Sequence, residues 1–502
     1  MMTGKCYLVG GGPGDPGLMT VKGRECLEKA DVLIYDALSS PEFLRWVPEG
    51  CEKIYAGKRA AAHAIPQDKI NDLIVAKSQA GKTVVRLKGG DPMIFGRGGE
   101  EAAELAEAGV PFEIVPGISS AIAGPAYAGI PVTHRDHCSQ LTLFTGHEDP
   151  TKDESSLDYA HLAKTPGTRV FLMGVARLRE ITAELVKHGA KADTPMALVR
   201  WATTGRQWTL TGTLGTMADI VDKAGFSSPA VAVIGDVVLE RDKINWFEQR
   251  PLLGKRIVVT RTREQAGELS VQLRDLGADV VELPTIRIED PEDKKEFAQF
   301  VVESHTYDWL VFTSPNGVDK FFKAFYAVYT DARSLGSPRI AAIGPGTAKK
   351  IAEYRITTDL LPEKFVAEGL VEAFEKEGVE NQTVLWIKAE ETRDVIHDEL
   401  LKQGAIIDMC IAYRTVPETD DPTGAAAQFA EDGADYVTFT SASTVENFFK
   451  MGLPWPDGCR AASIGPVTSG ALQQSGHPAT VEADKHDIPG LVAAIVKDCQ
   501  KG

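Results

Sequence analysis

Residues 84–101 read VVRLKGGDPMIFGRGGEE, and this stretch decides how the first half of the chain folds. The apolar pair Val84 and Val85 leads through two alternating charges, Arg86 and Lys88, into a glycine-rich corner. The run predicts a strand, and the glycines predict a turn where a flat ligand can lie against bare backbone. Alternation places both charges on one face of that strand, either as contacts for an anionic substrate or as solvated charges at the strand end.

A second strand–glycine corner, VGGGPGDPGLMT at residues 9–20, contains the letters of the dinucleotide fingerprint G-x-G-x-x-G. Asp36 lies near where a dinucleotide fold keeps its ribose-binding acid. Pro13, however, removes a backbone N–H that a pyrophosphate would need. Asp15 and Pro16 predict a helix start there without any ligand. The loop is therefore a plain turn or a loop for another ligand, and we expect no dinucleotide binding.

Composition bounds the remaining possibilities. The chain has 502 residues with a net charge of −17, and 43% of its residues are hydrophobic and 25% charged. That length predicts two to four domains, and the acidic balance argues against a nucleic-acid surface. Seven cysteines without a C-x-x-C pair predict no disulfide framework or metal site and fit a reducing cytoplasm. Because the N-terminus MMTGKCYLVGGG has no long apolar run, we expect no signal peptide, and because no apolar stretch approaches eighteen residues, we expect no membrane span.

Short apolar runs alternate with longer amphipathic stretches along the whole chain, which is typical of α/β folds with largely parallel sheets. A charged seam at 237–261 separates two halves. We place the first domain at residues 1–246, a linker at 247–253 and the second domain at 254–502.

The second half contains an internal repeat, since VFTSPNGVDKFF (311–322) resembles TFTSASTVENFF (438–449) and AAIGPGTAKKI (341–351) resembles ASIGPVTSGAL (462–472). The repeat predicts two α/β lobes. The segments ELPTIRI (282–288) and DMCIAYRT (408–415) each end the first unit of a repeat and resemble crossing strands. We therefore expect the lobes to be interleaved, one lobe holding 254–286 and 418–502 and the other holding the residues between.

Taken together, the first-half motifs resemble the tetrapyrrole (corrin/porphyrin) methyltransferases, and specifically the uroporphyrinogen-III C-methyltransferases. The resemblance covers about residues 4 to 245. It rests on VGGGPGDPGLMT, LKGGDPMIFGRGGEE, VPGISSA (115–121), GIPVTHR (129–135), TGHEDP (145–150), FLMGV (171–175) and RWATTGRQWTLTGTL (200–214). It implies a two-lobed α/β fold that holds S-adenosylmethionine between its lobes.

The resemblance also implies roles for single residues. Asp36 matches the family's proposed proton acceptor and Lys58 its proposed proton donor. Ile94 and Met173 fit a plain core position equally well. The implied contacts to S-adenosylmethionine are Pro13, Gly89, Gly90, Asp91, Ile94, Ser119, Ser120, Met173 and Ala202. The candidate partners for substrate carboxylates are Lys58, Arg59, Arg86, Lys88 and Arg135.

The second half resembles the uroporphyrinogen-III synthases over about residues 254 to 500, a family that uses no cofactor. The matching motifs are FTSPNGV (312–318), AIGPGTA (342–348), AYRT (412–415), FTSAST (439–444) and SIGPVTS (463–469). Tyr413 matches a tyrosine proposed to assist hydroxyl loss, and a packed linker aromatic is its alternative. The candidate anion contacts, with ordinary helix capping as their alternative, are Thr313, Ser314, Gly344, Thr440, Ser441, Gly465 and Thr468.

These resemblances predict a bifunctional enzyme that makes uroporphyrinogen III from linear hydroxymethylbilane and methylates it twice to precorrin-2, for sirohaem or cobalamin. The expected partners are linear and cyclic tetrapyrroles and a second copy of the chain, in a homodimer through the methyltransferase half. Two alternatives remain open: a later corrin-pathway C-methyltransferase, and a second half that is a tetrapyrrole-sensing regulatory module.

Overall fold

The computed structural model describes residues 4–57, 65–147, 157–421 and 423–501, and within these it leaves out the side chains of 263–266. The first lobe is a parallel sheet in the order β3-β2-β4-β1-β5. Its strands are β1 (Cys6–Gly10), β2 (Val32–Tyr35), β3 (Glu52–Tyr55), β4 (Val84–Lys88) and β5 (Phe112–Val115). Its helices are α1 (Val21–Leu27), α2 (Gln67–Gln79) and α3 (Gly98–Glu107), whereas the next helix, α4 (Ser120–Tyr127), packs against two strands of the following sheet. Strand β4 lies at the centre of the sheet, and all five of its residues are buried.

The second lobe is a mixed sheet in the order β6-β7-β10-β8-β9, in which only β6 and β7 pair in parallel. Its strands are β6 (Leu141–Thr145), β7 (Thr168–Leu172), β8 (Pro195–Arg200), β9 (Trp208–Thr213) and β10 (Ala230–Ile234). Its helices are α5 (Tyr159–Lys164), α6 (Leu178–Lys187), α7 (Met217–Ala224) and α8 (Arg241–Ile244). This sheet departs from the expected parallel pattern because the connection from β8 to β9 is too short for a helical crossover.

The second half has two further sheets. Its strands are β11 (Arg256–Val259), β12 (Asp279–Glu282), β13 (Ile286–Glu289), β14 (Trp309–Phe312), β15 (Arg339–Ala342), β16 (Thr383–Ala389), β17 (Ile406–Pro417), β18 (Tyr436–Phe439), β19 (Arg460–Ser463) and β20 (Val481–Glu482). Its helices are α9 (Arg263–Asp275), α10 (Lys294–Glu303), α11 (Pro315–Val328), α12 (Pro345–Glu353), α13 (Ala367–Glu377), α14 (Val395–Lys402), α15 (Ala425–Asp432), α16 (Ala442–Lys450), α17 (Pro466–Gln474) and α18 (Ile488–Cys499).

The predicted interleaving of the second half is confirmed. One sheet has the order β12-β11-β18-β19-β20 and the other the order β13-β17-β16-β14-β15. The chain therefore leaves the sheet that contains β11 after β12, builds the whole of the other sheet from β13 to β17, and returns to the first of these two sheets with β18. The two crossing strands, β13 and β17, pair antiparallel at the edge of the sheet that contains β14.

The predicted helix start at Asp15 is only partly right. Asp15 caps a short 3₁₀ turn, Pro16–Leu18, by accepting a hydrogen bond from the Gly17 N–H at 2.8 Å. The α-helix α1 begins at Val21 with Thr20 as its N-cap. Two successive caps leave a longer irregular loop beside β1 than a direct strand-to-helix turn would.

The seam between the halves follows α8. Phe247 packs against Tyr127 of the first half with ring centroids 4.9 Å apart, whereas Leu252 belongs to the buried core of the lobe that contains β11. Both anchors fall inside the proposed linker at 247–253, so the contacts of the chain change from one half to the other between Phe247 and Leu252. Among the residues that the structure describes, no helix is both long and apolar enough to cross a bilayer.

Candidate active sites

Four glycines from three segments of the chain approach one another closely at the carboxyl ends of β1 and β4. The N–H of Gly12 donates to the Gly90 carbonyl at 3.1 Å, and the Gly90 N–H donates back to the Gly12 carbonyl at 2.7 Å. A Cβ on Gly10 would lie 2.5 Å from the Gly117 nitrogen and 2.7 Å from the Gly90 oxygen. Side chains are therefore excluded here, and the loops after the two strands approach as bare backbone.

A cavity of about 2090 Å³ opens beside this crossing. It is lined by segments of both lobes of the first half, and the side chain of Met173 is 50% exposed. That exposure excludes the plain core alternative for Met173. All nine residues implied as S-adenosylmethionine contacts line the cavity together with Asp36: Pro13, Gly89, Gly90, Asp91, Ile94, Ser119, Ser120, Met173 and Ala202.

Asp91 lines the cavity while bracing its backbone. Its Oδ1 accepts from the Met93 N–H at 2.7 Å, and its Oδ2 accepts from the Gly117 N–H at 3.0 Å. Ser119 similarly caps α4 by accepting from the Ala121 N–H at 3.2 Å. Both polar side chains therefore hold the cavity wall in shape, and a ligand meets mainly backbone and apolar groups beside them.

Backbone strain is concentrated around the cavity. Phe95, Met173, Trp201 and Thr203 all line it and all have φ between 46° and 69°, a left-handed conformation that is uncommon for residues other than glycine. Sequence reasoning missed this feature, because none of these residue types signals a left-handed backbone.

A second missed feature connects the glycine loop to the other lobe. The Asp15 N–H donates to Thr203 Oγ1 at 3.0 Å, and the Tyr127 hydroxyl donates to Asp15 Oδ2 at 2.8 Å. Burial, reinforced by the Asp15 carboxylate, raises the pKa of Tyr127, so its hydroxyl stays a donor. The three residues lie far apart in the sequence, so no spacing could have predicted their contact.

The structure corrects the expectation for Arg86 and Lys88. Both lie on central strand β4, with side chains only 2% and 5% exposed, and both pair with the buried carboxylate of Glu101. Arg86 also contacts Asp36, which remains 30% exposed beside the cavity. A charge on a strand that is buried on both faces has to be paired inside the protein, so neither cation is free for a substrate carboxylate.

The other predicted carboxylate partners lie elsewhere. Arg135 is exposed and is not among the residues that line the cavity. Lys58 and Arg59 lie outside the described residues. Arg206, which was not predicted, does line the cavity, with its guanidinium 4.0 Å from the centroid of the Trp201 ring.

The second half of the chain forms part of the cavity wall. Arg274 of α9 pairs with Glu42 at 2.7 Å, and Arg45 pairs with Glu282. Burial raises the pKa of the Glu42 carboxyl, and the charge of Arg274 opposes that rise. These contacts mark where the two halves pack against each other.

In the second half, equivalent corners follow equivalent strands. Ser314 follows β14 and caps α11 through the Gly317 N–H at 3.0 Å, and Ser441 follows β18 and caps α16 through the Thr444 N–H at 3.3 Å. Gly344 and Gly465 are the N-caps of α12 and α17, and Thr468 is buried in the first turn of α17. Thr313 and Thr440 directly precede the capping serines and are half-buried. Capping thus occupies Ser314 and Ser441, while all these corners remain at carboxyl ends of strands, where α/β proteins bind ligands.

Tyr413 belongs to one of these corners. It is buried, and its hydroxyl donates to Ser314 Oγ at 2.8 Å. Burial raises the pKa of Tyr413, while its hydrogen bonds to Ser314 and Asn316 lower it. Ser314 Oγ accepts from both Tyr413 and the Gly317 N–H, which leaves its own proton to be donated elsewhere.

Comparison with known proteins agrees with this two-part construction. Residues 5–218 match the family model described as Tetrapyrrole (Corrin/Porphyrin) Methylases, and residues 267–493 match Uroporphyrinogen-III synthase HemD. The porphyrin biosynthesis protein HemD of Ruminiclostridium josui is 36% identical over 498 residues, which cover 99% of this chain and 98% of that protein.

Two further relatives match the first half alone. The S-adenosyl-L-methionine-dependent uroporphyrinogen III methyltransferase of Methanosarcina barkeri is 51% identical over 49% of this chain and 96% of that protein. A crystal structure of uroporphyrin-III C-methyltransferase from Thermus thermophilus with S-adenosylhomocysteine is 37% identical, covers 47% of this chain and 99% of that one, and has a TM-score of 0.40.

The chain therefore belongs to the tetrapyrrole methylase family in its first half and to the uroporphyrinogen-III synthase family in its second half. It is a fusion of two enzymes of porphyrin biosynthesis, which confirms the main hypothesis from the sequence.

Proposed function

We propose that the first half transfers two methyl groups from S-adenosylmethionine to uroporphyrinogen III, giving precorrin-2, and that the second half makes uroporphyrinogen III from hydroxymethylbilane with inversion of the last ring. One observation carries the first proposal: the nine implied cofactor contacts and Asp36 come from separate segments of two lobes and line one cavity.

The cavity fits the cofactor. Gly90 has φ +68°, and the nearest atom to a Cβ there is 3.8 Å away, so backbone rather than a side chain faces the opening. Met173 presents a polarisable apolar side chain, half-exposed, to the same space. S-adenosylmethionine, when bound, supplies an electrophilic methyl group on its sulfonium.

Asp36 is placed to take up the proton that the methylated macrocycle releases. Its carboxylate is partly exposed at the cavity, and Arg86 holds it from behind at 2.7 Å. Methyl transfer is a displacement, and its rate gains most from alignment of the sulfur, the methyl group and the attacking carbon. The proton is released afterwards, so the base must be held within hydrogen-bond distance of it. We assign the proton-donor role to Lys58 on the resemblance alone.

The second half works mainly by holding its substrate. We propose that the corners at Ser314, Gly344, Ser441 and Gly465 bind the carboxylates of the linear tetrapyrrole through backbone N–H groups and hydroxyls. Tyr413 then assists loss of the substrate hydroxyl through its hydrogen bond to Ser314. No cofactor is needed in this proposal, because loss of hydroxyl from an electron-rich pyrrole is intrinsically easy.

The assembly and location are proposed on the same family grounds. We propose a homodimer through the methyltransferase half and a cytoplasmic location. All seven cysteines lie within the described residues and are free thiols, which suits a reducing compartment.

One experiment tests both activities. The full chain is incubated without oxygen with hydroxymethylbilane and S-adenosylmethionine, and products are followed by mass and absorption. We expect uroporphyrinogen III first and a doubly methylated product afterwards. A chain that binds the macrocycle but never cyclises the linear substrate would favour the regulatory-module alternative for the second half.

A further inference from the structure

Glu101 lies at the centre of a buried cluster of charges beside the cavity. It belongs to the first turn of α3, where the helix dipole favours a carboxylate, and its side chain is fully buried. Its Oε1 accepts from Lys88 Nζ at 2.7 Å, Gln67 Nε2 at 3.0 Å and Arg86 Nε at 3.1 Å. One carboxylate oxygen thus gathers donors from α2 and β4.

Arg86 extends the cluster from Glu101 to the cavity. Its Nε is held by Glu101, while one terminal nitrogen contacts both oxygens of Asp36, at 2.7 and 2.9 Å. Because the guanidinium is planar and rigid, fixing Nε also fixes the direction of that terminal nitrogen. Asp36 is the exposed end of this series, and every other charged member is buried.

The charges of the cluster balance. Two carboxylates, Asp36 and Glu101, face two cations, Arg86 and Lys88. Burial and the neighbouring Arg86 lower the pKa of Lys88, and Glu101 opposes both effects. Without the Glu101 carboxylate, the positive charges of Arg86 and Lys88 would repel each other with no shared anion between them. Asp36 would then be the remaining carboxylate partner of Arg86 in this cluster.

We propose that Glu101 is a positioning residue for methyl transfer, acting through Arg86 to fix the Asp36 carboxylate at the cavity wall. This inference rests on the proposed role of Asp36 as proton acceptor. Glu101 itself is fully buried and is not among the residues that line the cavity, so it acts only through its neighbours.

The test is the variant Glu101→Gln, which keeps the size of the side chain and removes its charge. We expect kcat for methylation of uroporphyrinogen III to fall about 10- to 100-fold, as for a displaced catalytic group. The Kd for S-adenosylhomocysteine and the KM for S-adenosylmethionine should change less than threefold. The matched control is Glu104→Gln, an exposed position on the same helix, which should keep kcat within twofold.

Non-additivity separates positioning from general destabilisation. If Glu101 acts through Asp36, Glu101→Gln should lower the residual kcat of Asp36→Asn less than threefold, although it lowers that of the native chain much more. Equal effects in both backgrounds, or an unchanged kcat in Glu101→Gln alone, would overturn the inference. If Glu101→Gln does not fold, Arg86→Lys is judged by the same criteria, since a lysine nitrogen cannot engage both carboxylates as the guanidinium does.

The two proposals fail in different ways. A native turnover in Asp36→Asn would refute the proton-acceptor role and the inference together. A loss in Asp36→Asn with native turnover in Glu101→Gln would refute the inference alone.

Discussion

Replacing Gly10 by alanine should disrupt the cofactor cavity from beneath. The added Cβ would lie 2.5 Å from the Gly117 nitrogen, 2.6 Å from the Gly117 Cα and 2.7 Å from the Gly90 oxygen, all of them backbone atoms. To reach the 3.4 Å of an ordinary contact, the Gly117 backbone has to move by about 0.9 Å. Since Gly117 and Gly90 are hydrogen-bonded to Asp91 and Gly12, the movement passes directly to loops that line the cavity.

Overpacking of this kind costs about 1–3 kcal/mol. If the whole of this free energy is lost from binding, the affinity for S-adenosylhomocysteine drops about 5- to 150-fold. Calorimetric titration of the full chain measures this. Gly99→Ala is the control, because its Cβ would lie 3.9 Å from the nearest atom, the flexible end of Met93, and alanine is favoured in a helix. A Gly10→Ala chain that binds within twofold of the native one would refute the reasoning.

Further predictions concern each half. Asp36→Asn should lose nearly all methyl transfer, keeping only a small residual turnover, while S-adenosylhomocysteine still binds; single-turnover assays check this, and an unchanged turnover would contradict it. Met173→Ala should weaken binding of S-adenosylhomocysteine by roughly tenfold through lost apolar contact, which titration checks. Tyr413→Phe should slow cyclisation roughly tenfold, about the worth of one hydrogen bond, with little more of the uninverted isomer. Because burial raises the pKa of Tyr413 above its usual range, any alkaline limb that its ionisation gives the rate of cyclisation should lie at higher pH than an exposed tyrosine would give. A chain ending near Glu248 should methylate supplied uroporphyrinogen III, and one starting near Pro251 should cyclise hydroxymethylbilane without S-adenosylmethionine; loss of either activity on separation would show that the contacts between the halves are needed.

Much of the fold was predictable because local signals repeat along the chain. Alternating apolar runs and glycine corners predicted α/β lobes, and the repeated Thr-Ser and Ile-Gly-Pro corners predicted a duplicated second half. The strand-like segments that end the first unit of each repeat predicted the interleaving that β13 and β17 carry out. The antiparallel pairing in the sheet of β6 to β10, in the first half, was not predicted, because strand direction depends on partners distant in sequence.

The candidate site divides in the same way. The sequence by itself placed glycines and Asp36 at strand ends, which gather at the carboxyl edge of a parallel sheet. The family resemblance, rather than this geometry, implied that Met173 and Ala202 of the other lobe join them. Only the tertiary structure decided what Arg86 and Lys88 do. Strand order places β4 at the centre of its sheet, and a buried charge has to find a partner, so two predicted substrate contacts became the internal partners of Glu101. A sequence lists charges along a line, whereas burial and pairing depend on neighbours that only folding brings together.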